Sequence, residues 1–565
     1  MKTEKRNNAS TLEEVIENNT GMCLDDFLSI KDYKISRVDK FAAIVKKHKK
    51  IAVCGDYDVD GITATYIMVS LLKALKKDVY YRFPRRLTEG FGLSTAAIDD
   101  VISNDCTLII TVDNGISANE AISYAKDQGL SIIITDHHLA NDKLPEADLI
   151  INPAALPDTA DFTGYCGAGI AYKIACQMIS TRRFQEQCCV IAAIGTVADA
   201  MKLVEDNRQI VGEGLNLIQQ GKANNGIKAL IKGLQIDPAF ISADDIGYRI
   251  APVLNAPGRL FDEGAEIAFK MLSSTDANGE ERAKEIIALN EQRKALVDDA
   301  VSRINEKIDR IGIKCPLIVI EDVHEGIVGI VAGQLAEKYS IPAIILTETE
   351  KGYKGSARAP EGFNLKTMLD NHSELLSNYG GHEAAAGLTV KKDKLNEFTE
   401  SLQREYADYE IPEEVAYYDL SVAEEDLAEF AKKQEEYAPY GEGNPAPVIL
   451  VDGFTLVPDK DGNLARPIGS KGNMLRFSGM NRISALAFNG AAEHYEAIGR
   501  PDIITAVGTV GYNHWNGWTF VQLILNAFDK APENYLSLAG QVKQKIQVLR
   551  NSEGTAEDIN GTSQS

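Results

Sequence analysis

Three short apolar runs in the first third of the chain each lead directly into acidic or imidazole side chains. The runs at 51–54, 107–112 and 131–135 lead into Asp56-Tyr-Asp-Val-Asp60, Asp113-Asn-Gly115 and Asp136-His-His138. Stretches with helical spacing lie between the runs, at 62–75 and 118–128. Alternating strands and helices predict a parallel sheet that is covered on both faces. Since ligands bind outside the carboxyl ends of such strands, we expect the acidic clusters at one binding edge.

The pattern changes twice further along the chain. A long helix is predicted over 277–310, where Ala, Glu, Lys and Leu are frequent. Strands at 316–320 and 342–346 flank another helix and predict a second α/β segment. From about 406 onward short strands alternate with turn residues, and Asn516-Gly517 between two tryptophans predicts a hairpin. This last stretch therefore predicts a small β-barrel or sandwich.

Composition limits the class of protein. The length of 565 residues predicts three or four domains, and a hydrophobic content of 44% suits globular ones. The sequence has no apolar run near the roughly 18 residues of a membrane helix, and its polar start does not match a signal peptide. Eight scattered cysteines without a CxxC pair indicate a reducing cytoplasm.

The net charge of −23 argues only weakly against a nucleic-acid partner, because binding depends on a local basic groove. Two local basic clusters are present: Lys46-Lys-His-Lys-Lys50, and Arg82 with Arg85 and Arg86. Solvated surface charge explains the first cluster as well as binding does.

The acidic clusters predict a divalent metal site. Asp58 and Asp60 are one residue apart, so an extended chain would send both to the same side. Asp113 and His137 follow the other two strands. Carboxylates gathered this closely would repel one another without a cation, and oxygen and imidazole ligands suit Mn²⁺ or Mg²⁺. Two such ions, roughly 3.5–4 Å apart, would activate a water and stabilise the leaving oxygen in phosphoryl transfer.

Each cluster alone has a simpler interpretation. Asp-Asn-Gly is commonly a turn, and Asp-His-His is commonly a surface or cap sequence. The run from Asp56 to Gly61 is similar to the start of an EF-hand loop, but Ile67 occupies the position of the bidentate glutamate. Three clusters at three successive strand ends favour a metal site over these interpretations.

Together the acidic motifs resemble the DHH phosphoesterase superfamily, and within it the RecJ family of single-strand-specific exonucleases. The motifs that carry the resemblance are Asp56–Gly61, Val112–Ile116, Asp136–His138, and Gly195–Asp199 with Asn207-Arg208 downstream. The resemblance implies metal ligands at Asp58, Asp60, Asp113, His137 and Asp199. It implies that Asp56 and Asp136 bind the metals or support their ligands, and that His138 contacts the scissile phosphate. Without the resemblance, Asp199 would be interpreted as a buried or capping acid.

A glycine-rich region in the second α/β segment resembles the DHH-associated domain of the same proteins. It contains Gly355-Ser-Ala-Arg358 and Gly380-Gly-His382, each of which alone would predict a tight turn. Adjacent glycines let backbone amides close on an anion, and a following helix would add its positive N-terminal end. The resemblance implies that His382, with Gly380 and Gly381, faces the reacting phosphate. It also implies that Ser356 and Arg358 hold the 5′-terminal phosphate.

Three further segments, 86–93, 254–259 and 324–334, are similar to the same family. The resemblance implies substrate contacts for three side chains: Arg86, Asn255 and Arg259. The chain departs from the family pattern at two positions, with Phe91 in place of a tyrosine and Gln334 in place of an arginine. A packing role for Phe91 would tolerate the change, and no contact is carried over to Gln334.

The segment Ala438–Val448 resembles the entry into the oligonucleotide-binding (OB) barrel of RecJ proteins. Such a barrel stacks bases on aromatic rings and follows the backbone with basic side chains. The candidates are Phe454, Phe477, Phe488, Trp515, Trp518, Phe520, Arg466, Lys471 and Arg476. We expect most of these aromatic residues in the core rather than on the binding face.

The predicted fold is α/β, with a parallel-sheet DHH domain and a smaller α/β DHH-associated domain joined by a long helix, followed by a β-barrel of the OB type. The expected boundaries are 1–45 for an N-terminal extension, 46–215 for the DHH domain, 216–310 for a helical linker, 311–405 for the DHH-associated domain, 406–530 for the OB-fold and 531–565 for a partly disordered tail.

The resemblance implies a 5′→3′ exonuclease that degrades single-stranded DNA to 5′-mononucleotides with two Mn²⁺ or Mg²⁺ ions, in DNA repair and recombination. The expected partners are single-stranded DNA, a single-stranded-DNA-binding protein and a helicase, and the enzyme is expected to be a cytoplasmic monomer without membrane contact. One alternative is a DHH phosphodiesterase for short oligoribonucleotides or cyclic dinucleotides, which the C-terminal β-rich segment argues against. A replication scaffold that has lost its metal ligands is a second alternative, and the filled ligand positions argue against it.

Overall fold

A computed structural model describes residues 1–532 except 87, 91, 142, 275–277, 412, 414, 470, 471, 473, 489, 516 and 517, and it does not describe the side chains of residues 311 and 515. The predictions for Phe91, Lys471, the Trp515 side chain, the Asn516-Gly517 turn and the tail from residue 533 lie outside the described residues. The chain forms two compact units. One contains Met1–Ile30, Leu203–Glu205 and the chain from Glu413 onward, and the other contains Lys31–Lys202 and Asp206–Pro412.

The strands, in chain order, are β1 (Lys2–Lys5), β2 (Lys50–Cys54), β3 (Asp78–Arg82), β4 (Leu108–Val112), β5 (Ser131–Thr135), β6 (Leu149–Ile151), β7 (Leu317–Ile320), β8 (Ala343–Thr349), β9 (Gly352–Arg358), β10 (Leu376–Gly381), β11 (Ala385–Val390), β12 (Val415–Tyr418), β13 (Leu420–Ser421), β14 (Val448–Thr455), β15 (Ala465–Ile468), β16 (Met474–Ser478), β17 (Ser484–Ala487), β18 (Ile503–Trp515) and β19 (Trp518–Lys530). The helices are α1 (Leu12–Thr20), α2 (Leu24–Leu28), α3 (Val38–Lys47), α4 (Val59–Ala74), α5 (Thr95–Ser103), α6 (Asn119–Asp127), α7 (Gly167–Met178), α8 (Arg182–Ala198), α9 (Glu205–Gln219), α10 (Asn225–Gly233), α11 (Ala251–Leu260), α12 (Gly264–Leu272), α13 (Gly279–Ile311), α14 (Val328–Tyr339), α15 (Leu365–Asp370), α16 (Leu395–Glu405), α17 (Leu427–Gln434) and α18 (Ala491–Ala497).

The larger unit begins with the predicted parallel sheet. Its five strands follow the order β3-β2-β4-β5-β6, and every neighbouring pair is parallel. All five residues of β4 are buried, as expected for a strand with helices on both faces. The strand order reverses at β2, which lies between β3 and β4. The carboxyl ends of β2 and β4 therefore border the crevice where ligands bind in sheets of this kind.

Helix α4 begins at Val59, three residues before the predicted start, because Asp58 caps it. The Asp58 carboxylate accepts a hydrogen bond from the backbone N–H of Gly61 at 3.1 Å. Asp60 consequently lies in the first helical turn. The expectation that Asp58 and Asp60 share one side of an extended chain is therefore wrong.

The long predicted helix is confirmed as α13, whose 33 residues span about 50 Å at 1.5 Å per residue. Its N-terminal half packs against α10, α11 and α12. Its C-terminal half contributes Val297, Ile304 and Ile308 to the core of the second α/β domain. The helix thus joins the two domains of this unit.

The second α/β domain has a five-stranded sheet in the order β10-β11-β9-β8-β7. Only β7 and β8 among these neighbours are parallel. Gly380 and Gly381 end β10, and β11 begins at Ala385, so the Gly-Gly-His motif lies at an antiparallel hairpin. The expected helix after this motif is therefore wrong, because a strand follows and supplies no helix N-terminus.

The smaller unit contains a seven-stranded sheet in the order β13-β14-β18-β19-β17-β16-β15. Phe454 and Phe477 are fully buried in its core, as expected, whereas Trp518 and Phe488 are 65% and 41% exposed. The N-terminal segment belongs to this unit, because β1 pairs with β12 and α1 packs against Leu420 and Tyr437. Among the helices of the described part of the chain, none is long and apolar enough to cross a membrane.

Candidate metal centre and phosphate pocket

Asp60 is held in place by the start of α7. Its two carboxylate oxygens accept hydrogen bonds from the backbone N–H groups of Gly167, at 2.6 Å, and Ala168, at 2.8 Å. A helix N-terminus stabilises a carboxylate through these amides and through its dipole. A Cβ atom on Gly167 would lie 2.6 Å from the Asp113 Cβ and 2.9 Å from an Asp60 oxygen, so only glycine fits here.

The role of the α7 N-terminus was missed from the sequence. Its signal is the run Cys166-Gly-Ala-Gly169, in which small residues begin a helix and permit a close approach. Gly195 in α8 has the same function on the other side of Asp60, since a Cβ atom there would lie 3.0 Å from the second Asp60 oxygen.

The His137 imidazole lies among three carboxylates that come from three different elements. Its Nε2 atom is 3.0 Å from an oxygen of Asp113, 3.5 Å from Asp199 and 3.8 Å from Asp60. Asp113 directly follows β4 and has a left-handed φ of 61°. Such a conformation is uncommon for a residue with a side chain and is often retained at functional sites. Asp199 arrives from the C-terminal end of α8.

These side chains form two overlapping groups that could hold metal ions. The potential ligand atoms of Asp60, His137 and Asp199 lie within 4.8 Å of one another, and so do those of Asp113, His137 and His138. Carboxylate oxygens and imidazole nitrogens are donors that suit Mn²⁺ and Mg²⁺. The donor set at the ends of β4, β5 and α8 therefore fits the predicted ions.

The electrostatics of the cluster favour the same conclusion. Burial, with Asp60 as the nearest like charge, raises the pKa of Asp113 well above its ordinary value and that of Asp199 to about 8. Two charged carboxylate oxygens within 4.8 Å of each other, as in Asp60 and Asp199, would repel by roughly 3.5 kcal/mol or more at an effective dielectric constant of about 20. Ionisation of Asp113 and Asp199 near neutral pH is therefore disfavoured without a compensating positive charge, which a divalent ion would provide.

His138 is oriented by Asp136. The Asp136 carboxylate is 1% exposed and accepts hydrogen bonds from the backbone N–H groups of Ile116 and His137 and from Nδ1 of His138, at 2.7–2.9 Å. Burial opposes ionisation of Asp136, but the bond from His138 and these amides outweigh it and lower its pKa. The same bond raises the pKa of His138 to about 9, so this half-exposed ring is a cation at neutral pH. Asp136 therefore positions a hydrogen-bond donor that can face a phosphate oxygen.

Asp56 and Asp58 lie in the segment 55–58 between β2 and α4, here called the acidic loop, and their carboxylates bond to backbone amides. Asp58 caps α4, and the Asp56 carboxylate accepts a hydrogen bond from the N–H of Tyr57 at 2.7 Å. Burial, followed by repulsion from Asp58, raises the pKa of Asp56 to about 7. Neither carboxylate belongs to the two groups of potential ligand atoms in the described part of the chain. Their role as ligands stays a prediction.

Arg86 and Arg259 lie near this loop, and a third arginine that was missed from the sequence, Arg293, lies near Arg259. The Arg86 guanidinium lies 4.7 Å from the centre of the Tyr57 ring. Burial, followed by repulsion from Arg86, lowers the pKa of Arg259, and Arg293 contributes to the same effect. Arg293 projects from α13 and donates a hydrogen bond to Asn290 at 3.1 Å. It escaped notice because an arginine in a charged helix ordinarily faces solvent.

Asn255 links α11 to the acidic loop, since its side-chain oxygen accepts a hydrogen bond from the backbone N–H of Val59 at 3.1 Å. Two arginines of the second basic cluster, Arg82 and Arg86, have different environments. Arg82 is buried and bonded to Glu89 and Asp100, so it stabilises the sheet edge, whereas Arg86 lies at the candidate site.

The phosphate-binding candidates of the second domain lie on β9 and at the β10–β11 hairpin. Arg358 donates a hydrogen bond to the Ser356 hydroxyl at 2.7 Å, and burial lowers the pKa of its guanidinium. A Cβ atom on Gly329, at the start of α14, would lie 2.7 Å from this guanidinium. His382 is exposed at the hairpin. A cleft of about 490 Å³ adjoins Arg358.

The two domains of this unit meet at Arg259. Its guanidinium donates a hydrogen bond to the carbonyl of Gly326 at 3.4 Å, and a Cβ atom on Gly326 would lie 1.7 Å from the Arg259 carbonyl oxygen. Glycine at 326 is therefore required for this approach. The contact brings α11 and its arginine next to the domain that carries Ser356 and Arg358.

A carboxylate–histidine cluster at the switch point of a parallel sheet, joined by a long helix to a glycine-rich second domain, is the organisation of a DHH-family protein. Three family models match the chain: the DHH family N-terminal domain over residues 50–196, the DHHA1 domain over 314–408 and the RecJ OB domain over 418–527. These matches and the sheet orders confirm the predicted fold class.

Known proteins with the same organisation identify the family. The single-stranded-DNA-specific exonuclease RecJ of Salmonella typhimurium is 32% identical over 455 residues, which cover 74% of this chain and 78% of that protein. RecJ of Bacillus subtilis is 34% identical over 500 residues, and the match covers 86% of this chain and 62% of that longer relative. The crystal structure of RecJ from Thermus thermophilus in complex with Mn²⁺ matches with a TM-score of 0.74 and 25% identity, covering 92% of this chain and 76% of that one. The chain belongs to the RecJ family.

Proposed function

We propose that this protein is a 5′→3′ exonuclease that hydrolyses single-stranded DNA to 5′-mononucleotides, in DNA repair and recombination. The observation that carries the proposal is the His137 imidazole among the carboxylates of Asp60, Asp113 and Asp199, with His138, bonded to Asp136, beside it. The relatives of this chain that act on single-stranded DNA, and the match to the RecJ OB domain, support the choice of substrate.

Two Mn²⁺ or Mg²⁺ ions would be held by Asp60, Asp113, His137 and Asp199, with Asp58 and Asp56 as further candidates from the same loop. When bound, such ions supply a Lewis acid and an activated water for hydrolysis of a phosphodiester. The α7 amides fix Asp60, and the Asp113 backbone directs its carboxylate toward His137. The fold therefore holds these donors together, and a bound ion would reduce the repulsion among them.

The protein's own cationic groups would bind the substrate phosphates. His138, held by Asp136, would donate a hydrogen bond to the scissile phosphate and retain its proton. Arg86, Asn255, Arg259, Ser356 and Arg358 would bind the 5′ end, and the amides of Gly380 and Gly381 with His382 would face the reacting phosphate. Arginine forks suit phosphate because they donate two parallel hydrogen bonds. A phosphate pocket that closes one end of the cleft would make the enzyme dependent on a 5′ end.

The smaller unit supports a long substrate over the alternative, a dinucleotide or short oligoribonucleotide. Trp518 and Phe488 leave aromatic surface exposed on a domain that matches the RecJ OB model. Aromatic stacking and a basic groove bind single strands with a strong salt dependence. The single-stranded-DNA-binding protein and helicase partners, the monomeric state and the cytoplasmic location stay predictions.

Digestion of single strands of DNA and RNA, labelled at the 5′ or the 3′ end, in the presence of Mn²⁺ tests the proposal. We expect the 5′ label to be released first as a mononucleotide and the 3′ label to appear in a ladder of shortening products. The variant Asp113→Asn should lose at least 1,000-fold in rate and keep its affinity for the single strand, because it removes one ligand and leaves the binding surface.

Asp127→Asn, at the exposed end of α6, is a matched control and should behave like the parent protein. Release of the 3′ label first, or faster hydrolysis of a dinucleotide than of a long strand, would contradict the proposal. Full activity of Asp113→Asn would remove the metal centre from the mechanism.

A further inference from the structure

Helix α11 presents one narrow stripe of side chains that are not buried. Seven of its ten residues are buried, and the three exceptions are Pro252, Asn255 and Arg259. Their spacing of three and four residues places them on one face of the helix. Two of the three are the predicted substrate contacts Asn255 and Arg259, so this stripe faces the candidate substrate cleft.

The stripe continues upstream to Tyr248, four residues before Pro252. Tyr248 lies in the π-helical turn Asp245–Ile250, which runs directly into α11. Such turns are rare and occur frequently at functional sites. The Tyr248 side chain is 82% exposed, which is the second highest value among the large hydrophobic residues that are exposed in the described structure.

The turn that carries Tyr248 is firmly anchored. Ile246 and Ile250 are fully buried beneath it. Arg249 donates hydrogen bonds to Asp245 at 2.8 Å and to the carbonyl of Leu234 at 2.7 Å. An exposed aromatic ring on a fixed turn loses little conformational entropy when a planar ligand stacks on it.

The turn that carries Tyr248 packs against helix α8, which ends at the metal-ligand candidate Asp199. Gly247, the neighbour of Tyr248, packs against Val197, and a Cβ atom on Gly247 would lie 3.6 Å from the Val197 side chain. Val197 precedes the metal-ligand candidate Asp199 by two residues. The stripe is therefore connected to elements of the centre at two points: Asn255 bonds to Val59 at the start of α4, and the turn with Tyr248 contacts the end of α8.

The order of residues along the stripe assigns a direction to the bound strand. Arg259 contacts Gly326 and lies toward the domain with the phosphate pocket. Asn255 contacts the acidic loop, and Tyr248 lies seven residues further, about 10 Å along a helix axis. A strand whose 5′ phosphate is near Arg259 would reach Tyr248 beyond its terminal nucleotide.

We propose that Tyr248 forms a base-stacking subsite for a nucleotide on the 3′ side of the scissile phosphate. This inference rests on the proposed function and specifies how the strand is gripped next to the metal centre. A base that stacks on an aromatic ring contributes affinity without regard to its identity, which suits an enzyme that must accept every sequence. Tyr248 is thus a positioning residue that holds the strand while the terminal bond is hydrolysed.

The test combines a protein variant with a substrate that lacks one base. First-nucleotide release is measured with 5′-phosphorylated single strands in which a single abasic sugar occupies the second, third or fourth position. With the parent protein we expect one position to raise KM about tenfold, with kcat changed less than twofold. Tyr248→Ala should raise KM about tenfold for the intact strand and lose its sensitivity to that position, as coupled partners do in a double-mutant cycle.

Tyr248→Phe keeps the ring and should restore both the KM and the position-specific sensitivity. Ile313→Ala, which truncates a 55% exposed apolar side chain elsewhere, is the control and should match the parent protein. An unchanged KM in Tyr248→Ala, or the same abasic profile in Tyr248→Ala and the parent, would overturn the inference. Absence of 5′ nucleotide release by the parent protein would instead overturn the proposed function, so the two failures are distinguishable.

Discussion

At the scale of single residues, the carboxylates of the candidate site repel one another, and a bound cation would reduce this repulsion. Asp60, Asp113 and Asp199 come together around His137, and the pKa values of Asp113 and Asp199 rise because burial and neighbouring charge both disfavour ionisation. A cluster of this kind lowers the stability of the metal-free protein and raises its affinity for metal. Stability and function are thus opposed at these positions.

The variant Asp199→Asn tests whether ionisation of Asp199 lowers the stability of the metal-free protein, because the effect should depend on pH. The pKa of Asp199 is raised from 3.8 to about 8 in the folded protein, so its ionisation opposes folding as the pH rises through this interval. Asparagine mimics the protonated acid, and in a chelator the variant should be more stable than the parent by about 1–2 kcal/mol at pH 8, with little difference at pH 4. Urea unfolding at both pH values measures the effect.

Addition of Mn²⁺ should reverse this order at pH 8, because the variant lacks one ligand. A difference between parent and Asp199→Asn that is the same at pH 4 and pH 8 would contradict the electrostatic explanation.

At the scale of elements, the site depends on where helices begin. The α4 N-terminus places Asp60, and the α7 N-terminus binds both oxygens of that carboxylate. The sequence predicted α4 three residues too late, because the apolar spacing starts at Ile62 and conceals the cap at Asp58. It predicted β5 with its observed bounds, because a continuous apolar run followed by polar residues marks a buried strand.

Gly167→Ala should separate α7 from the acids. The added methyl group would lie 2.6 Å from the Asp113 Cβ and 2.9 Å from its Cα, which are atoms that cannot rotate away. We expect a loss of stability of about 1–3 kcal/mol from overpacking. Mn²⁺ affinity should fall at least tenfold as Asp60 loses its amide donors, and titration calorimetry with thermal unfolding measures both effects.

Gly279→Ala is the matched control, since a Cβ atom at the start of α13 meets its nearest neighbour at an ordinary 3.5 Å. Normal Mn²⁺ affinity in Gly167→Ala would show that α7 does not support the metal centre.

At the scale of the whole molecule, the chain is two compact units that its linear order does not reveal. Residues Met1–Ile30 belong with the chain from Glu413 onward, although almost 400 residues separate them. β1 pairs with β12, and Val15, Ile16 and Phe27 share a core with Leu420 and Tyr437. Of the N-terminal extension predicted over 1–45, residues 1–30 are therefore a structural part of the unit that contains the OB domain, and residues 31–45 belong to the larger unit.

Two truncations test this organisation. A fragment of residues 31–412 keeps the unit that contains the candidate metal centre, and we expect it to fold and to hydrolyse a short 5′-phosphorylated strand. A fragment of residues 1–412 leaves the apolar face of α1 and α2 uncovered, and we expect it to aggregate. Size-exclusion chromatography and thermal unfolding compare the two fragments.

Loss of the OB domain should also weaken the affinity of residues 31–412 for a long strand and reduce its salt dependence, as measured by fluorescence anisotropy. Equal solubility of the two fragments would contradict a shared core between the N-terminal segment and the OB unit.

The candidate metal site at the sheet edge can be predicted from the amino-acid pattern, because three of the acidic motifs each follow a strand whose apolar character is local. The parallel sheet, the long helix and the approach of Asp113 to His137 follow from such local patterns, whereas the place of Asp199 beside them was expected only from the family resemblance. The contacts that hold the site residues in place depend on the tertiary structure, because they join residues that are far apart in the sequence. Asp60 accepts a hydrogen bond from Gly167, which lies 107 residues later in the sequence. Arg293 interacts with Arg259, although it comes from a charged helix whose side chains are expected to face solvent. Tyr248 extends a stripe on α11 that only the burial pattern reveals. Periodicity records which face of an element is apolar, whereas the identity of the partner depends on packing in three dimensions.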